Sequence, residues 1–168
     1  RTINNTLTAA LATIKENNDI QFIWQTGKYY YPQVTEAVRA AGELPNLYVT
    51  DFIKDMAAAY AASDLVISRA GAGSISEFCL LHKPVVLVPS PNVAEDHQTK
   101  NALALVDKQA AIYVKDSEAE AKLMDVALNT VADDRKLKEL SENIAKLALP
   151  DSARIIAQEV IKLAEAEN

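Results

Sequence analysis

The sequence predicts an α/β fold in which helices cover both faces of a parallel sheet. Short apolar runs of the kind that is buried in parallel sheets alternate with segments of helical periodicity over residues 2–114. Such alternation is typical of parallel sheets that carry helices on both sides. After residue 114 the pattern changes to helices alone. We expect these last helices to pack across one side of the sheet.

Five runs are predicted to form the strands. Residues 20–26 are β-branched and aromatic before Gly27, and residues 47–49, 65–67 and 85–88 are short apolar runs. Residues 111–114 form a weaker fifth run. Because helical segments link these runs, the order of elements is Rossmann-like.

Helices are predicted between the strands and after them. The first is amphipathic and covers residues 2–17, where apolar side chains recur at helical spacing before the turn signal Asn-Asn-Asp. The others cover residues 31–41, 55–62, 74–82, 98–108, 118–131, 135–147 and 151–165.

The composition limits the function classes. The chain has 168 residues and a net charge of −6, which argues against a broad nucleic-acid surface because such surfaces cluster Lys and Arg. The length indicates one domain, and no stretch approaches the roughly 18 apolar residues of a membrane span. The lone Cys79 reads as a core residue in a reducing compartment. The start at Arg1 has neither an initiator methionine nor a signal-peptide pattern, so we interpret the chain as part of a longer protein.

The most informative segment joins the run 65–67 to the next predicted helix. Residues 68–77 read Ser-Arg-Ala-Gly-Ala-Gly-Ser-Ile-Ser-Glu. In an open α/β sheet, ligands bind at the carboxyl ends of strands, and a glycine-containing loop there lets the backbone approach a phosphate at a helix start. We expect Gly71 and Gly73 to allow this approach, and the N–H groups of residues 73–76 to be the unpaired donors.

The same segment has a purely structural interpretation. Ser74 and Glu77 fit the S-x-x-E capping box, in which two side chains cap one helix start reciprocally. Capping patterns and short glycine-rich loops are both common, so the motif alone does not decide between capping and anion binding. The segment lacks the third glycine of a dinucleotide fingerprint, and Glu77 lies on the helix rather than after the next strand. Both features disfavour NAD.

A second loop, residues 89–98, is long and polar and follows the next predicted strand. It leaves the same edge of the sheet and ends in Asp96, His97 and Gln98. We favour hydroxyl binding by Gln98 over catalysis by His97, because no nucleophile or metal partner has suitable spacing.

A third loop, residues 50–56, follows the second predicted strand. Phe52 and Ile53 offer an apolar wall with backbone donors and acceptors, which is the mixture that pockets for flat bases use. Ordinary core packing, with Asp55 as a helix N-cap, is the alternative.

Three ordered blocks give the chain a family resemblance. They are residues 49–57 (Val-Thr-Asp-Phe-Ile-Lys-Asp-Met-Ala), residues 68–77, and residues 97–102 (His-Gln-Thr-Lys-Asn-Ala). With Ile-Trp-Gln-Thr-Gly-Lys at residues 23–28, they resemble the C-terminal domain of the MurG family over essentially the whole chain. This family comprises the UDP-N-acetylglucosamine (UDP-GlcNAc) transferases of peptidoglycan synthesis. The resemblance implies one half of a GT-B fold, and the family carries a bulkier residue where this chain has Gly73.

The resemblance also implies a site. The whole chain, residues 1–168, would be the UDP-sugar (donor) binding domain, and the N-terminal acceptor domain would lie outside it. Ile53 would meet the uracil through its backbone, Glu77 would bind ribose hydroxyls and Gln98 would hold the sugar. The nucleotide would be lined by Ala72, Gly73, Ser74, Ile75 and Ser76. No catalytic residue, metal ligand or cofactor is implied within this chain.

The implied activity is inverting transfer of GlcNAc from UDP-GlcNAc to undecaprenyl-pyrophosphoryl-MurNAc-pentapeptide, which converts lipid I into lipid II. Lipid I and the membrane would be contacted only through the acceptor domain, on the cytoplasmic face of the cell membrane. This chain alone would bind the donor without turnover. Two alternatives stay open: a separate UDP-GlcNAc-binding subunit of a dolichol-linked GlcNAc transferase, and a NAD- or flavin-binding Rossmann domain.

Overall fold

A computed structural model describes residues 1–92 and 96–166 of the chain. The strands are β1 Phe22–Gln25, β2 Leu47–Thr50, β3 Val66–Ser68, β4 Val85–Leu87 and β5 Ile112–Tyr113. The helices are α1 Thr2–Ala9, α2 Leu11–Glu16, α3 Tyr31–Ala41, α4 Met56–Ala62, α5 Ala72–Leu80, α6 His97–Val106, α7 Ala119–Val131, α8 Asp134–Ala145 and α9 Ser152–Ala166, with a 3₁₀ turn at Asp116–Glu118. The predicted α/β class is confirmed.

The strands pair in two parallel sets. β1 pairs with β2, with Trp24 opposite Val49, and β4 lies between β3 and β5. Among the described residues no ladder joins β1 to β3, so the parallel strands of this α/β fold form two sets. Pairing partners distant in sequence decide this feature, and a pattern read along the chain does not contain them.

Helices cover both faces of the three-stranded set. The side chains of Val85 and Leu87 point into a cluster with Phe78 of α5 and Ile144 of α8. The alternate side chains of β4 point the other way, into a cluster with Leu123 of α7. This alternation with a period of two explains why the run 85–88 is buried throughout.

The two-stranded set is covered on one face. Trp24 packs there with Leu11 and Ile14 of α2 and Val34 of α3. The first helix, predicted as one element, is broken at Ala10, whose dihedral angles are φ −94° and ψ 13°. α1 packs mainly against α7, and both α1 and α2 contact α3. The helical period of the sequence continues through the break without interruption.

The last three helices do not share one side of the sheet, contrary to the expectation. α7 and α8 pack on opposite faces of the three-stranded set. Every residue of α9 from 152 to 165 is exposed, including apolar side chains such as Ile156 at 64% and Leu163 at 69%. Among the described residues, no helix is both long enough and apolar enough to cross a membrane.

Candidate functional site

The carboxyl ends of both strand sets lie at one edge of the molecule, joined there by the start of α1. Asn4 donates from Nδ2 to the carbonyl of Thr26, the residue after β1, at 2.9 Å. Thr2 donates from Oγ1 to Asp116, just after β5, at 2.9 Å. Neighbouring residues of one helix thus contact the ends of both sets. The loops after β1, β2, β3 and β4 therefore open on the same side.

The loop after β3 leads directly into α5. Its N-cap is Gly71, in an extended conformation, and the helix begins at Ala72 rather than at Ser74. The N–H of Ile75 donates to the carbonyl of Gly71 at 3.0 Å. The N–H groups left without helical acceptors are therefore those of Ala72, Gly73 and Ser74, rather than those of residues 73–76.

The capping box is not formed. Ser74 lies inside the first turn of α5 rather than at its N-cap, and Ser76 bonds back to the carbonyl of Ala72 at 3.0 Å. Glu77 is exposed and accepts a hydrogen bond from the hydroxyl of Tyr60 instead. The prediction that Ser74 and Glu77 form a capping box is therefore wrong. Neither side chain caps the start of α5.

Two glycines flank this helix start. A Cβ atom added to Gly71 or Gly73 would meet no heavy atom within 4 Å, and neither glycine has a positive φ. The fold itself therefore does not require glycine at either position. Without side chains, these glycines leave the unpaired N–H groups of α5 open to a ligand from solvent. A helix start with this exposure is an anion-binding geometry.

Glu77 is held by a neighbouring helix. The hydroxyl of Tyr60, on α4, donates to its Oε2 at 3.2 Å, and the Tyr60 ring packs edge-on against Phe78 with centroids 5.7 Å apart. Burial raises the pKa of the Tyr60 hydroxyl above its ordinary value, and the nearby Glu77 carboxylate raises it further. Tyr60 therefore stays a donor, and one Glu77 oxygen remains available to a ligand hydroxyl.

Gln98 lies in the first turn of α6, across the loop from β4. Its Oε1 accepts from the N–H of Ser90 at 2.9 Å, which ties the two ends of the loop together. The amide hydrogens of Gln98 remain available as donors. Asp96, the N-cap of α6, has a left-handed backbone with φ 55°. Residues 93–95 of the predicted loop lie outside the described residues.

Ile53 lies in the loop after β2, beside the exposed ring of Phe52. Its N–H donates to Oε1 of Gln25, the last residue of β1, at 2.8 Å. Asp55 accepts from the N–H of Ala58 at 2.9 Å, so the predicted N-cap of α4 is confirmed. The backbone N–H of Ile53, which we expect to face a base, is thus occupied by the side chain of Gln25. The sequence assigns no role to that side chain.

Arg69 is a second residue that the sequence did not single out. Its Nη1 donates to the carbonyls of Val88 at 2.9 Å and Pro89 at 3.2 Å, and it forms an ion pair with Asp116. One guanidinium group therefore fixes the ends of three neighbouring strands relative to one another. The only signal in the sequence is an arginine two positions after an apolar run.

The described residues hold no cluster of three or more His, Cys, Asp and Glu side chains that could ligate a metal ion. The chemistry that this edge offers is backbone donors at a helix start, a carboxylate, a carboxamide and the exposed ring of Phe52. These groups suit a phosphorylated ligand with hydroxyl groups.

The model of the glycosyltransferase family 28 C-terminal domain matches residues 1–156 of the chain. The chain belongs to this family. A UDP-N-acetylglucosamine–N-acetylmuramyl-(pentapeptide) pyrophosphoryl-undecaprenol N-acetylglucosamine transferase of Bacteroides fragilis is 79% identical over 98% of the chain. The corresponding transferase of Phocaeicola vulgatus is 66% identical over 98% of the chain. The chain spans 43% and 44% of these relatives.

Solved structures of glycosyltransferases have the same fold as this family 28 domain. Acinetobacter baumannii MurG matches with a TM-score of 0.80 at 27% identity, over 96% of this chain and 46% of that one. The glycosyltransferase VinC, solved with dTDP, matches with a TM-score of 0.71 at 19% identity, over 94% of this chain and 37% of that one. At that identity VinC supports the fold alone.

Proposed function

We propose that this family 28 domain, residues 1–168, binds UDP-GlcNAc as the donor half of a GT-B transferase. The whole enzyme would transfer GlcNAc with inversion to undecaprenyl-pyrophosphoryl-MurNAc-pentapeptide, lipid I, and so make lipid II. The names of the relatives from B. fragilis and P. vulgatus support this assignment. So does the likeness to A. baumannii MurG.

The observation that carries the proposal is the start of α5. Three unpaired N–H groups, of Ala72, Gly73 and Ser74, point out of a helix start that Gly71 leaves open. Negative charge is favoured there by the partial positive charge of the helix end. A diphosphate is the anion that a sugar nucleotide brings to such a site, and the first turn continues through Ile75 to Ser76 along the nucleotide.

The remaining roles follow from what each group can still donate or accept. Glu77 would accept from ribose hydroxyls with the oxygen that Tyr60 leaves free. Gln98 would donate its amide hydrogens to hydroxyls of the sugar, because Ser90 already occupies its oxygen. Ile53 would meet the uracil through its backbone, beside Phe52, which is 59% exposed.

The transfer itself would need groups outside this chain. Binding a leaving diphosphate and orienting the sugar is one half of such a reaction, and deprotonating the acceptor hydroxyl is the other. We assign the first half to this domain and the second to an N-terminal acceptor domain. That domain would also bring lipid I and the contact with the cytoplasmic face of the membrane. We expect the donor half to use neither a metal ion nor a cofactor.

Calorimetric titration tests the proposal. UDP-GlcNAc and UDP should bind, UDP-glucose should bind more weakly than UDP-GlcNAc, and NAD should not bind. Gly71→Ala should weaken the binding of UDP, because the new methyl group narrows the approach to the helix start. The binding of uridine should not change, since uridine lacks the diphosphate. Gly73→Ala, in the first turn of the same helix, should likewise weaken the binding of UDP and leave that of uridine unchanged, so uridine is the control ligand for both substitutions.

The outcomes are separable. Binding of NAD as strong as that of UDP would overturn the assignment in favour of a dinucleotide domain. Equal loss of UDP and uridine in Gly71→Ala would show that the substitution disturbs the fold rather than the diphosphate contact. A chain that binds none of the uridine nucleotides would remove the donor-binding function altogether.

A further inference from the structure

The contact between Gln25 and Ile53 crosses from one strand end to the next loop. Gln25 closes β1 and pairs in register with Thr50 of β2, and Ile53 follows three positions later. The Gln25 side chain is exposed, yet its Oε1 accepts from the Ile53 N–H at 2.8 Å. A short hydrogen bond is thus made at the surface, where water competes for both partners.

The loop does not depend on Gln25 for its shape. The N–H of Thr26 donates to the carbonyl of Thr50 at 3.0 Å, and the Thr50 hydroxyl donates to the carbonyl of Phe52 at 3.1 Å. At its far end the loop is fixed by the Asp55 side chain, which caps α4. Because both ends are anchored independently, the bond from Ile53 to Gln25 can open without releasing the loop.

The carboxamide of Gln25 also copies part of the edge of a pyrimidine. It carries a carbonyl acceptor beside an N–H donor, as each half of the uracil imide edge does. A backbone N–H has one hydrogen and makes one well-aligned bond. The carboxamide and a base carbonyl therefore cannot both take the Ile53 N–H.

We propose that the Gln25 carboxamide occupies, in the ligand-free protein, the backbone donor that the uracil ring takes, so that Gln25 sets the affinity for the base. The inference rests on the proposed function and adds a specificity-determining residue to it. When a uridine ligand binds, the Gln25 side chain moves away from Ile53. The free energy of the internal hydrogen bond is lost, which reduces the binding free energy of the ligand by that amount.

Two substitutions at Gln25 separate this role from a merely structural one. Gln25→Ala removes the competitor, and uridine and UDP should bind about three- to sixfold more tightly, the factor that an exposed hydrogen bond of ordinary strength imposes on the open population. Gln25→Glu replaces the amide oxygen by a carboxylate, a stronger acceptor for the same N–H, and uridine should bind more weakly. The expected order of affinity is Ala, then Gln, then Glu.

Uridine and inorganic pyrophosphate are titrated into the full chain, and the ¹⁵N–¹H signal of Ile53 is followed by NMR. Uridine carries no charge, so its response is free of the repulsion that Gln25→Glu exerts on a diphosphate. Pyrophosphate should bind Gln25→Ala and the unchanged chain equally. The Ile53 amide should exchange faster in Gln25→Ala without ligand and be protected again by uridine.

Weaker or unchanged uridine binding in Gln25→Ala would overturn the inference and make Gln25 a support of the loop. In that case the proposed function still stands, because the unchanged chain binds UDP. If the unchanged chain binds neither UDP nor uridine, the proposed function fails and the inference with it. A folded Gln25→Ala chain is verified by the other amide signals, which should keep their positions.

Discussion

Glu77→Gln is the substitution that separates ligand binding from helix stability most clearly. The capping box would have made Glu77 a stabilising residue of α5, but the helix begins at Ala72 and Glu77 lies past its first turn. Its one described partner is the Tyr60 hydroxyl at 3.2 Å, and the carboxylate itself is exposed. A glutamine at this position can still accept that bond. The free energy of unfolding should therefore change little.

The expected loss of affinity follows from the acceptor strength. Hydrogen bonds to a charged group contribute about 1.5–3 kcal/mol and neutral ones about 0.5–1.5 kcal/mol. Replacing the carboxylate by a carboxamide should therefore weaken the contact with the ribose hydroxyls by about 1–1.5 kcal/mol, or about five- to twelvefold in Kd. The stability change should stay below about 1 kcal/mol, which is at most about 2–4 °C in Tm for a chain of this size.

Calorimetry with UDP and with 2′,3′-dideoxy-UDP measures the effect, and a thermal melt measures stability. Glu77→Gln should weaken the binding of UDP and leave the affinity for the dideoxy analogue unchanged, since that ligand has no ribose hydroxyls for Glu77 to contact. Tyr60→Phe is the matched control: it keeps the ring contact with Phe78 and removes only the hydroxyl that holds Glu77. It should weaken UDP less than Glu77→Gln does. If both ligands weaken equally, or if Tm falls while UDP binding persists, the ribose role is refuted.

Two other expected outcomes involve Gln98 and Cys79. Gln98→Ala should weaken the binding of UDP-GlcNAc by the loss of one or two neutral hydrogen bonds, about 0.5–1.5 kcal/mol each, and leave the binding of UDP unchanged. Equal weakening of both ligands in calorimetry would contradict the sugar role. Cys79 is buried, which raises its thiol pKa, so it should resist iodoacetamide in the folded chain and react on unfolding. The unfolded chain ionises this thiol at lower pH than the folded one. Stability in urea titrations should therefore fall as pH rises through the ordinary thiol range, and fast labelling of the native chain would contradict the burial.

The strands could be predicted because burial on both faces leaves a strong signal. Residues 85–88 are apolar without interruption, and all four are buried between helices on the two faces of the sheet. The division into two strand sets left no such signal, because it depends on which strands are neighbours. The break at Ala10 left none either. Alanine is the best helix former, so the residue at the break favours continuation of the helix rather than its end.

The site could be predicted only as far as single segments describe it. The loops after the strands were located from their composition, since ligands bind at the carboxyl ends of strands in open α/β sheets. The side chains that hold the candidate ligand groups were not found. Gln25 acts on a residue 28 positions away, Tyr60 on one 17 positions away and Arg69 on one 47 positions away. Each is an ordinary residue in its own segment, and its role exists only in the folded chain.

Three of the internal hydrogen bonds at this edge, those of Glu77, Gln98 and Ile53, differ in what they leave for a ligand. A carboxylate has about four acceptor sites, so Glu77 can keep Tyr60 and still accept from a ribose. The oxygen of Gln98 is engaged, but its two amide hydrogens remain. The N–H of Ile53 has a single hydrogen, and Gln25 already holds it. With the proposed roles, only the contact at Ile53 has to break for its ligand to bind. Removing the internal partner should therefore weaken binding at Glu77 and strengthen it at Ile53, and this opposite sign is what distinguishes a supporting contact from a competing one.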